Sequence, residues 1–302
     1  ADLSRYMHGE MEAAYAHRER PTCSREDFFV SRDDSLGDRM KSQYEDRYRF
    51  SLPRRTYTIV RVDGKAFHSY CRGLTRPFDL DLMNDMDETA VALCAEMQGA
   101  EFAYVQSDEI SVLLTDFGKN DTEAWFDGNL QKLTSIAASC ATAGFNLRRP
   151  GAARLAMFDA RAFTIPDPVE VENYFIWRQQ DATRNSIAMA AQAQFSHTQL
   201  HGVDSAGMQE MLWKQKGINW NDYPDGCKRG RTVVREVYTA DVTYLDKRTQ
   251  TERVAENVTR SRWVPTEPPV FTREREWLSS RIPRYEDTNE HGRQRAAGSV
   301  TP

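Results

Sequence analysis

The sequence lacks the features that mark several special classes of protein. No run of about 18 apolar residues, which a membrane-spanning helix needs, occurs along its 302 residues. The N-terminal residues ADLSR contain no apolar stretch typical of a secretory signal. No internal repeat is visible either. We therefore expect a cytoplasmic protein with no membrane partner.

Cysteine is scarce and follows no recognisable pattern. The five cysteines are odd in number and widely scattered, and the chain has no C-x-x-C pair and no histidine cluster. These absences argue against a zinc site and against a redox motif. We expect reduced thiols with mainly structural roles.

The composition is that of a soluble globular protein, with 40% hydrophobic and 28% charged residues. The net charge of −5 argues against a nucleic-acid partner, because phosphate contacts draw on Lys and Arg. Basic residues are nevertheless concentrated in 148–161 and 214–235. Either one face of the protein is locally positive or these are ordinary solvated surfaces, and charge alone favours the second interpretation.

Hydrophobic periodicity predicts an α+β protein with one antiparallel sheet covered by helices. A helix is predicted over 35–47, and residues 56–63 (TYTIVRVD) form a predicted strand that ends on a carboxylate. Two short strands, 102–106 and 110–114, flank a hairpin bend at 107–109. Further elements are predicted as helices over 79–98, 130–143 and 169–195, a strand over 156–165, and a hairpin with strands at 232–244 and from 252 onward.

Two groups of carboxylates lie where predicted strands end. Asp63 precedes Gly64, and Asp108 and Glu109 occupy the hairpin bend. If the strands are adjacent, these carboxylates come together, and they repel one another unless a cation such as Mg²⁺ lies between them. Asp and Gly also favour ordinary turns, so each group alone is better explained as a turn. Because both groups lie at strand ends, catalysis by Asp63, Asp108 and Glu109 explains them as well as two ordinary turns do.

The residues after Asp63 are suited to a triphosphate. Residues 64–68 (GKAFH) can wrap phosphates with backbone N–H groups, and Lys65 can add positive charge. Phe67 can support a base, although packing in the core is the more usual role of such a residue. Lys65 and His68 flank the site, where ordinary surface positions are the alternative.

Five segments together resemble the tRNA-His guanylyltransferases and the related 3′-to-5′ polymerases that extend tRNA 5′ ends. They are RVDGKAFH at 61–68, RPFD at 76–79, AYVQSDEIS at 103–111, FDAR at 158–161 and WRQQD at 177–181. Order and spacing agree over roughly 35–235, and the combination is specific although each segment alone is weak. The resemblance implies a palm similar to that of polymerases and nucleotide cyclases.

The resemblance also implies the chemistry and its residues. Asp63 and Asp108 would bind two Mg²⁺ ions through their side chains, the Gly64 carbonyl would assist, and Glu109 would join the acidic cluster. ATP would activate the 5′-phosphate of tRNA, and the 3′-hydroxyl of GTP would then attack. Family members are typically tetramers of one chain. The nucleotide-binding residues implied are Gly64, Lys65, Ala66, Phe67, His68, Arg76 and Ser107.

The chain departs from the family just after WRQQD. Members devoted to tRNA-His carry HINNLYN there, whereas this chain reads TRNSIAM at 183–189, and only Asn185 is retained. This difference favours the relatives that repair truncated tRNA 5′ ends by templated addition. Trp213 and Trp220 can stack on a base, although core packing is the more usual explanation. Candidates for tRNA binding are Arg148, Arg149, Arg178, Asn185, Lys228, Arg229 and Arg231.

These expectations define a domain organisation and two alternatives. We predict an N-terminal extension (1–34), a palm-like catalytic domain (35–165), a tRNA-binding helical and hairpin region (166–286) and a mobile tail (287–302). A palm-type sheet can also serve a nucleotide cyclase. A protein that binds RNA or nucleotide without catalysis is the other alternative.

Overall fold

The structure is a computed structural model that describes residues 35–119, 121–246, 248 and 251–285. The chain divides into two compact units, Ala1–Arg49 and Phe50–Pro302. The predicted extension (1–34) and the predicted mobile tail (287–302) lie outside the described residues. The domain boundaries at 34, 165 and 286 stay predictions.

The described part of the first unit is helical, as predicted over 35–47. It begins with an α-helix, α1 (Ser35–Met40), continues as a π-helical segment, Lys41–Glu45, and ends as a 3₁₀ turn, Asp46–Tyr48. No residue of the π-helical segment or the 3₁₀ turn is buried. The prediction of a helix is confirmed, but its hydrogen-bonding pattern changes from α to π and then to 3₁₀.

The second unit contains a six-stranded sheet and eight α-helices among its described residues. The strands are β1 (Tyr57–Gly64), β2 (Ala100–Gln106), β3 (Glu109–Leu114), β4 (Phe158–Ile165), β5 (Arg231–Asp246) and β6 (Thr251–Thr266). The helices are α2 (Phe67–Tyr70), α3 (Leu80–Glu96), α4 (Leu130–Arg148), α5 (Pro168–Gln192), α6 (His197–Leu200), α7 (Ser205–Lys216), α8 (Asp225–Arg229) and α9 (Arg275–Ser279). Short 3₁₀ turns occur at Trp125–Gly128 and Trp220–Asp222. None of the described helices is both long and apolar enough to cross a membrane.

The sheet has the order β4-β1-β3-β2-β5-β6, and every neighbouring pair is antiparallel. The central strands are apolar on both faces because helices cover both. Val60 and Val62 point into the cluster that includes residues of α3 and α4. Ile59 and Tyr104 point into the cluster that includes residues of α5. The prediction of an α+β protein with one helix-covered antiparallel sheet is confirmed.

Local interactions set the ends of α3. The Asp79 carboxylate accepts a hydrogen bond from the Leu82 amide at 2.8 Å, which satisfies a donor at the helix start, and another from the Thr75 amide in the preceding loop at 3.0 Å. After the helix, Gly99 has a φ of +80°, and a Cβ there would lie 2.2 Å from the Thr115 carbonyl oxygen. Only glycine fits this turn, so α3 ends close to the predicted position.

The 25-residue α5 crosses the sheet face that carries Asp63. Its first residue is Pro168, and the Asp167 side chain accepts a hydrogen bond from the Val169 amide at 2.7 Å, a favourable helix start. The helix ends at Gln192, three residues before the predicted end. Its length brings side chains from several turns beside the ends of β1 and β3.

Candidate active site

The candidate site lies at the ends of β1 and the β2–β3 hairpin. Only Ser107 and Asp108 separate the two hairpin strands, and Ser107 adopts a left-handed backbone with φ of 48°, as tight hairpin turns require. The Gly64 amide donates to the Asp108 carbonyl at 3.0 Å. In the β1–β3 register, Asp63 lies opposite Glu109. The strands that carry the carboxylates are therefore adjacent, which is the condition under which these side chains come together.

Burial and charge act together on Asp108. Burial raises the pKa of its carboxyl above the usual value, and the negative charge of Asp63 raises it further. The Ser107 hydroxyl, which donates to Asp108 at 3.0 Å, acts in the opposite direction. A cation between Asp63 and Asp108 would relieve this repulsion. Over the described ranges, no group of three or more His, Cys, Asp or Glu side chains could hold a metal ion.

Glu109 has a different environment from Asp63 and Asp108. Arg178 donates to both of its oxygen atoms, from Nε at 2.8 Å and from Nη2 at 3.0 Å. Arg61 lies 3.8 Å from the same carboxylate. Burial raises the pKa of Glu109, and the two guanidinium groups oppose that rise. Glu109 therefore connects the sheet to α5, and its predicted catalytic role stays a prediction.

A cavity of about 410 Å³ opens beside these carboxylates. Asp63, Ser107 and Asp108 line it together with apolar side chains that include Met83 and Met189. A cavity of this size, lined by many polar and charged side chains as well as apolar ones, suits a small polar organic ligand. The site thus combines paired carboxylates with room for a nucleotide.

Comparison with known proteins identifies the family. The Thg1 family model, described as tRNAHis guanylyltransferase, matches residues 37–166. The tRNA(His) guanylyltransferase of Debaryomyces hansenii is 33% identical in an alignment 236 residues long that covers 70% of this chain and 87% of the relative. The chain belongs to the tRNA-His guanylyltransferase family. This family membership confirms the resemblance and the predicted enzyme class, a nucleotidyltransferase.

Two solved structures extend the match to most of this guanylyltransferase-family chain. A bacterial tRNA(His) guanylyltransferase (Thg1)-like protein in complex with ATP is 43% identical, with a TM-score of 0.72, and the match covers 82% of this chain and 99% of that one. A complex described in the same words, but with GTP, is 43% identical over the same shares, with a TM-score of 0.68. The mixed helix and antiparallel sheet fold is therefore that of the Thg1-like structures.

The predicted triphosphate segment follows β1 directly. The Lys65 amide donates to the Met157 carbonyl at 2.8 Å, and the first bonds of α2 run from Ser69 and Tyr70 to the Ala66 carbonyl. The backbone N–H groups of Ala66, Phe67 and His68 therefore come before the first N–H group that bonds within the helix. Such N–H groups at a helix start are free to bind anions. Lys65, Ala66 and His68 are exposed.

Phe67 is the exception within that segment. It is 4% exposed, and its ring packs against Phe145 and Phe158 at centroid distances of 5.6 and 5.1 Å. A Cβ on Gly64 would lie 2.3 Å from this ring, so Gly64 leaves the space that Phe67 fills. The core interpretation of Phe67 is correct, and its side chain does not support a base. Arg76 is exposed and is not among the residues that line the cavity.

Three cations predicted to bind tRNA are buried instead. Arg178, Lys228 and Arg231 are 5%, 6% and 7% exposed. Arg231 donates to Asp87 at 2.7 Å, and the Lys228 ammonium donates to the Asn221 carbonyl at 2.7 Å. Because their charges are paired inside the protein, these side chains are not surface contacts for tRNA phosphates. Arg178 and Arg231 instead line the cavity.

The remaining tRNA candidates are more accessible. The Arg148 side chain is 39% exposed and bonds to Glu88, while Arg149 is partly buried against Asp85. Arg229 bonds to Asp225. Their binding to tRNA stays a prediction.

The face of α5 that lines the cavity was largely missed by sequence reasoning. Asp181 lies within the matching WRQQD segment, and it bonds to the side chains of Arg178, Arg184 and Asn185. Lining positions recur along the helix with a spacing of three or four residues, the spacing of one helical face. That spacing is the signal that could have found them. The lining positions of α5 are Arg178, Asp181, Ala182, Asn185, Ser186, Ala188, Met189 and Gln192.

We expect Asp108→Asn to stabilise the metal-free fold, increasingly so as pH rises. The pKa of the Asp108 carboxyl is higher in the folded protein than in the unfolded chain. The stability that follows is fully present below the unfolded-state pKa of about 3.9 and is lost as pH rises through the folded-state pKa. Asn carries no charge and avoids that loss. Urea unfolding of both proteins in EDTA at about pH 4 and pH 7 measures the difference. If the two proteins differed in free energy of unfolding by the same amount at both pH values, burial of a charged Asp108 carboxylate would not be the cause.

Proposed function

We propose that the chain is a tRNA 5′-end nucleotidyltransferase that adds nucleotides in the 3′-to-5′ direction. The observation that carries the proposal is the fixed juxtaposition of Asp63 and Asp108, joined by the bond from the Gly64 amide to the Asp108 carbonyl, at a nucleotide-sized cavity. Family membership and the ATP and GTP complexes of the bacterial Thg1-like protein support it. On this proposal the sheet is a polymerase-like palm.

The residues present fit Mg²⁺. The Asp63 and Asp108 carboxylates and the Gly64 carbonyl are hard oxygen ligands, and magnesium sites commonly use one or two carboxylates together with substrate phosphates. The raised pKa of Asp108 beside Asp63 indicates a place where a cation would be favoured. When bound, two Mg²⁺ ions would neutralise charge on the attacking and leaving oxygens.

The protein's own groups would hold the substrates for two transfers. In the first, an oxygen of the tRNA 5′-phosphate attacks the α-phosphorus of ATP, and pyrophosphate leaves. In the second, the 3′-hydroxyl of GTP attacks the activated 5′-phosphorus, and AMP leaves.

The amides of 66–68 and the Lys65 ammonium would bind the triphosphate, with Ser107 beside it and Arg76 assisting activation.

The preferred substrate is a tRNA that has lost 5′ nucleotides. The family segment HINNLYN is replaced by 183–189 (TRNSIAM), and Asn185, the one retained residue, bonds to Asp181 at 3.3 Å at the cavity wall. Tetrameric assembly and a cytoplasmic location belong to the same proposal and await measurement.

The test is incorporation of labelled GTP into two 5′-monophosphorylated tRNA-His substrates, one full length and one lacking its first nucleotide, with ATP and Mg²⁺. We expect extension of the truncated substrate alone, and extension at least about a hundredfold slower with Asp108→Asn. One G added to the full-length tRNA instead would indicate tRNA-His maturation. Nucleotide turnover without RNA would favour a cyclase, and RNA binding without any incorporation would favour a binding protein.

A further inference from the structure

The hairpin formed by β5 and β6 extends well beyond the sheet. β2 pairs with β5 only over 231–234, whereas β5 and β6 stay paired to the ends of both strands. Residues 236–245 and 252–262 therefore project as a two-stranded arm, which at about 3.3 Å per residue is about 30 Å long. No residue of the arm is buried. An isolated two-stranded hairpin is only marginally stable in water, so we expect this arm to contact a partner.

The positive charges of the arm lie on one of its two faces. Residues directly opposite each other in a strand pair share a face, and alternate residues of a strand do so too. One face carries the opposed pairs Glu236–Arg262, Tyr238–Arg260 and Tyr244–Arg253. The other carries the opposed pairs Val237–Ser261, Thr239–Thr259, Thr243–Val254 and Leu245–Glu252. All three arginines of the arm thus share one face with two tyrosines, and we call it the arginine face.

The side chains of the arginine face are accessible. Tyr238 and Tyr244 are 38% and 48% exposed. The Arg262 side chain is 61% exposed, pairs with Glu236, and holds its guanidinium 5.1 Å from the Tyr238 ring centroid. The residue opposite Arg260 is a tyrosine and not an acid. Three positive charges thus meet one negative charge, and arginines with accessible aromatic rings are the side chains that bind RNA phosphates and unstacked bases.

The arginine face lies on the same side of the sheet as the candidate active site. Val234 packs in the cluster that contains Ile59. Asp63 follows Ile59 by four residues and Glu236 follows Val234 by two, so each pair shares a face. The strand registers place the nearest arginine about 25 Å and the farthest about 50 Å from Asp63. At these distances the arm can reach the body of an RNA whose 5′ end lies at Asp63.

We propose that the arginine face binds the body of the RNA substrate. The guanidinium groups of Arg253, Arg260 and Arg262 contact phosphates, and the tyrosine rings pack against unpaired bases of a loop. The inference rests on the proposed function, which makes this RNA a tRNA. The arm supplies exposed cations that the buried tRNA candidates do not supply. Its contacts hold the substrate without touching the reacting atoms.

The test is the salt dependence of tRNA binding. Dissociation constants of the full chain for 5′-truncated tRNA-His are measured in MgCl₂ over a series of salt concentrations, without ATP or GTP. Arg260→Gln and Arg262→Gln should each weaken binding about tenfold at about 0.1 M salt. Each should also lower the slope of log K against log salt by about one, the effect of one lost phosphate contact.

Two control variants separate the arginine face from other causes. Arg273→Gln removes an exposed arginine outside the arm, and Val254→Gln changes the opposite face of the arm. Both should keep the wild-type slope. Unchanged slopes in both arginine variants, or an equal loss in Arg273→Gln, would overturn the inference. So would a fall in the mass of the protein assembly in sedimentation of the arginine variants, because the face would then pack against a second copy of the chain.

Nucleotide addition distinguishes the inference from the proposed function. At saturating tRNA, Arg260→Gln and Arg262→Gln should extend the substrate at the wild-type rate, because the arm is far from Asp63. A loss confined to the rate at saturating tRNA would overturn the inference. If the wild type bound tRNA with a slope that depends on Arg260 but added no nucleotide, the proposed function would fail and the inferred RNA surface would stand. Failure of the folded wild type to bind tRNA would overturn both.

Discussion

Replacing Asp63 or Asp108 by Asn should lower the rate of nucleotide addition by on the order of a hundred- to a thousandfold or more. Asn has nearly the same shape but no negative charge, so the paired site loses its attraction for a cation. The two backbones stay joined, because the bond between Gly64 and Asp108 uses main-chain atoms. Single-turnover extension of 5′-truncated tRNA measures the rate, and circular dichroism confirms the fold.

The matched control for these two variants is Asp81→Asn. Asp81 lies in the first turn of α3, is exposed and does not line the cavity. Its variant should extend tRNA at close to the wild-type rate. Full activity in either site variant would remove Asp63 and Asp108 from the proposed chemistry. An equal loss in the control would show that general loss of acidic charge is responsible.

Removing the Arg178 guanidinium should cause the largest loss of stability. Arg178→Met leaves the buried Glu109 carboxylate without its two strongest hydrogen bonds, and breaking such a pair from one side costs about 3–5 kcal/mol. It also removes the bond to Asp181 and the stacking of the guanidinium 4.3 Å from the Trp177 ring centroid. Urea denaturation measures the change in the free energy of unfolding.

Two further variants identify the cause of that loss. Arg161→Met removes a guanidinium that is 52% exposed and paired with the exposed Asp159, so its cost should be about 0–1 kcal/mol. The double variant Arg178→Met/Glu109→Gln should recover part of the stability, because the carboxylate that Arg178 holds is then no longer buried without its two strongest hydrogen bonds. A cost for Arg178→Met as small as that for Arg161→Met would contradict the buried-pair argument.

Local patterns were sufficient to predict the elements that carry the two aspartates. A strand that ends at Asp63 and a hairpin whose bend includes Asp108 are short-range features, because alternation and turn residues are encoded within a few positions. The sequence argument needed the carboxylate-bearing strands to be adjacent but did not predict their pairing, and the structure supplies it by pairing β1 with β3. The structure adds that a main-chain bond from Gly64 fixes the two turns together.

Burial of charged and aromatic side chains could not be predicted in the same way. Arg178 pairs with Glu109 across 69 positions, and Arg231 pairs with Asp87 across 144, so no local window contains both partners. The two tryptophans illustrate the same limit. Trp220 is 7% exposed and packs in a core cluster, whereas Trp213 is 62% exposed, so the core-packing expectation holds for only one of them.

The separation of 69 positions between Glu109 and Arg178 has a consequence for synthesis on the ribosome. The β2–β3 hairpin and the Asp63–Asp108 pair emerge first, whereas the guanidinium that neutralises Glu109 follows only within α5. Until then, Glu109 has only the Arg61 guanidinium, 3.8 Å away, beside it, so burying the hairpin costs more than it does once Arg178 is present. We therefore expect this end of the sheet to stay hydrated in the nascent chain until α5 docks, which makes the arrival of the helix that forms the cavity wall the last folding step of the site.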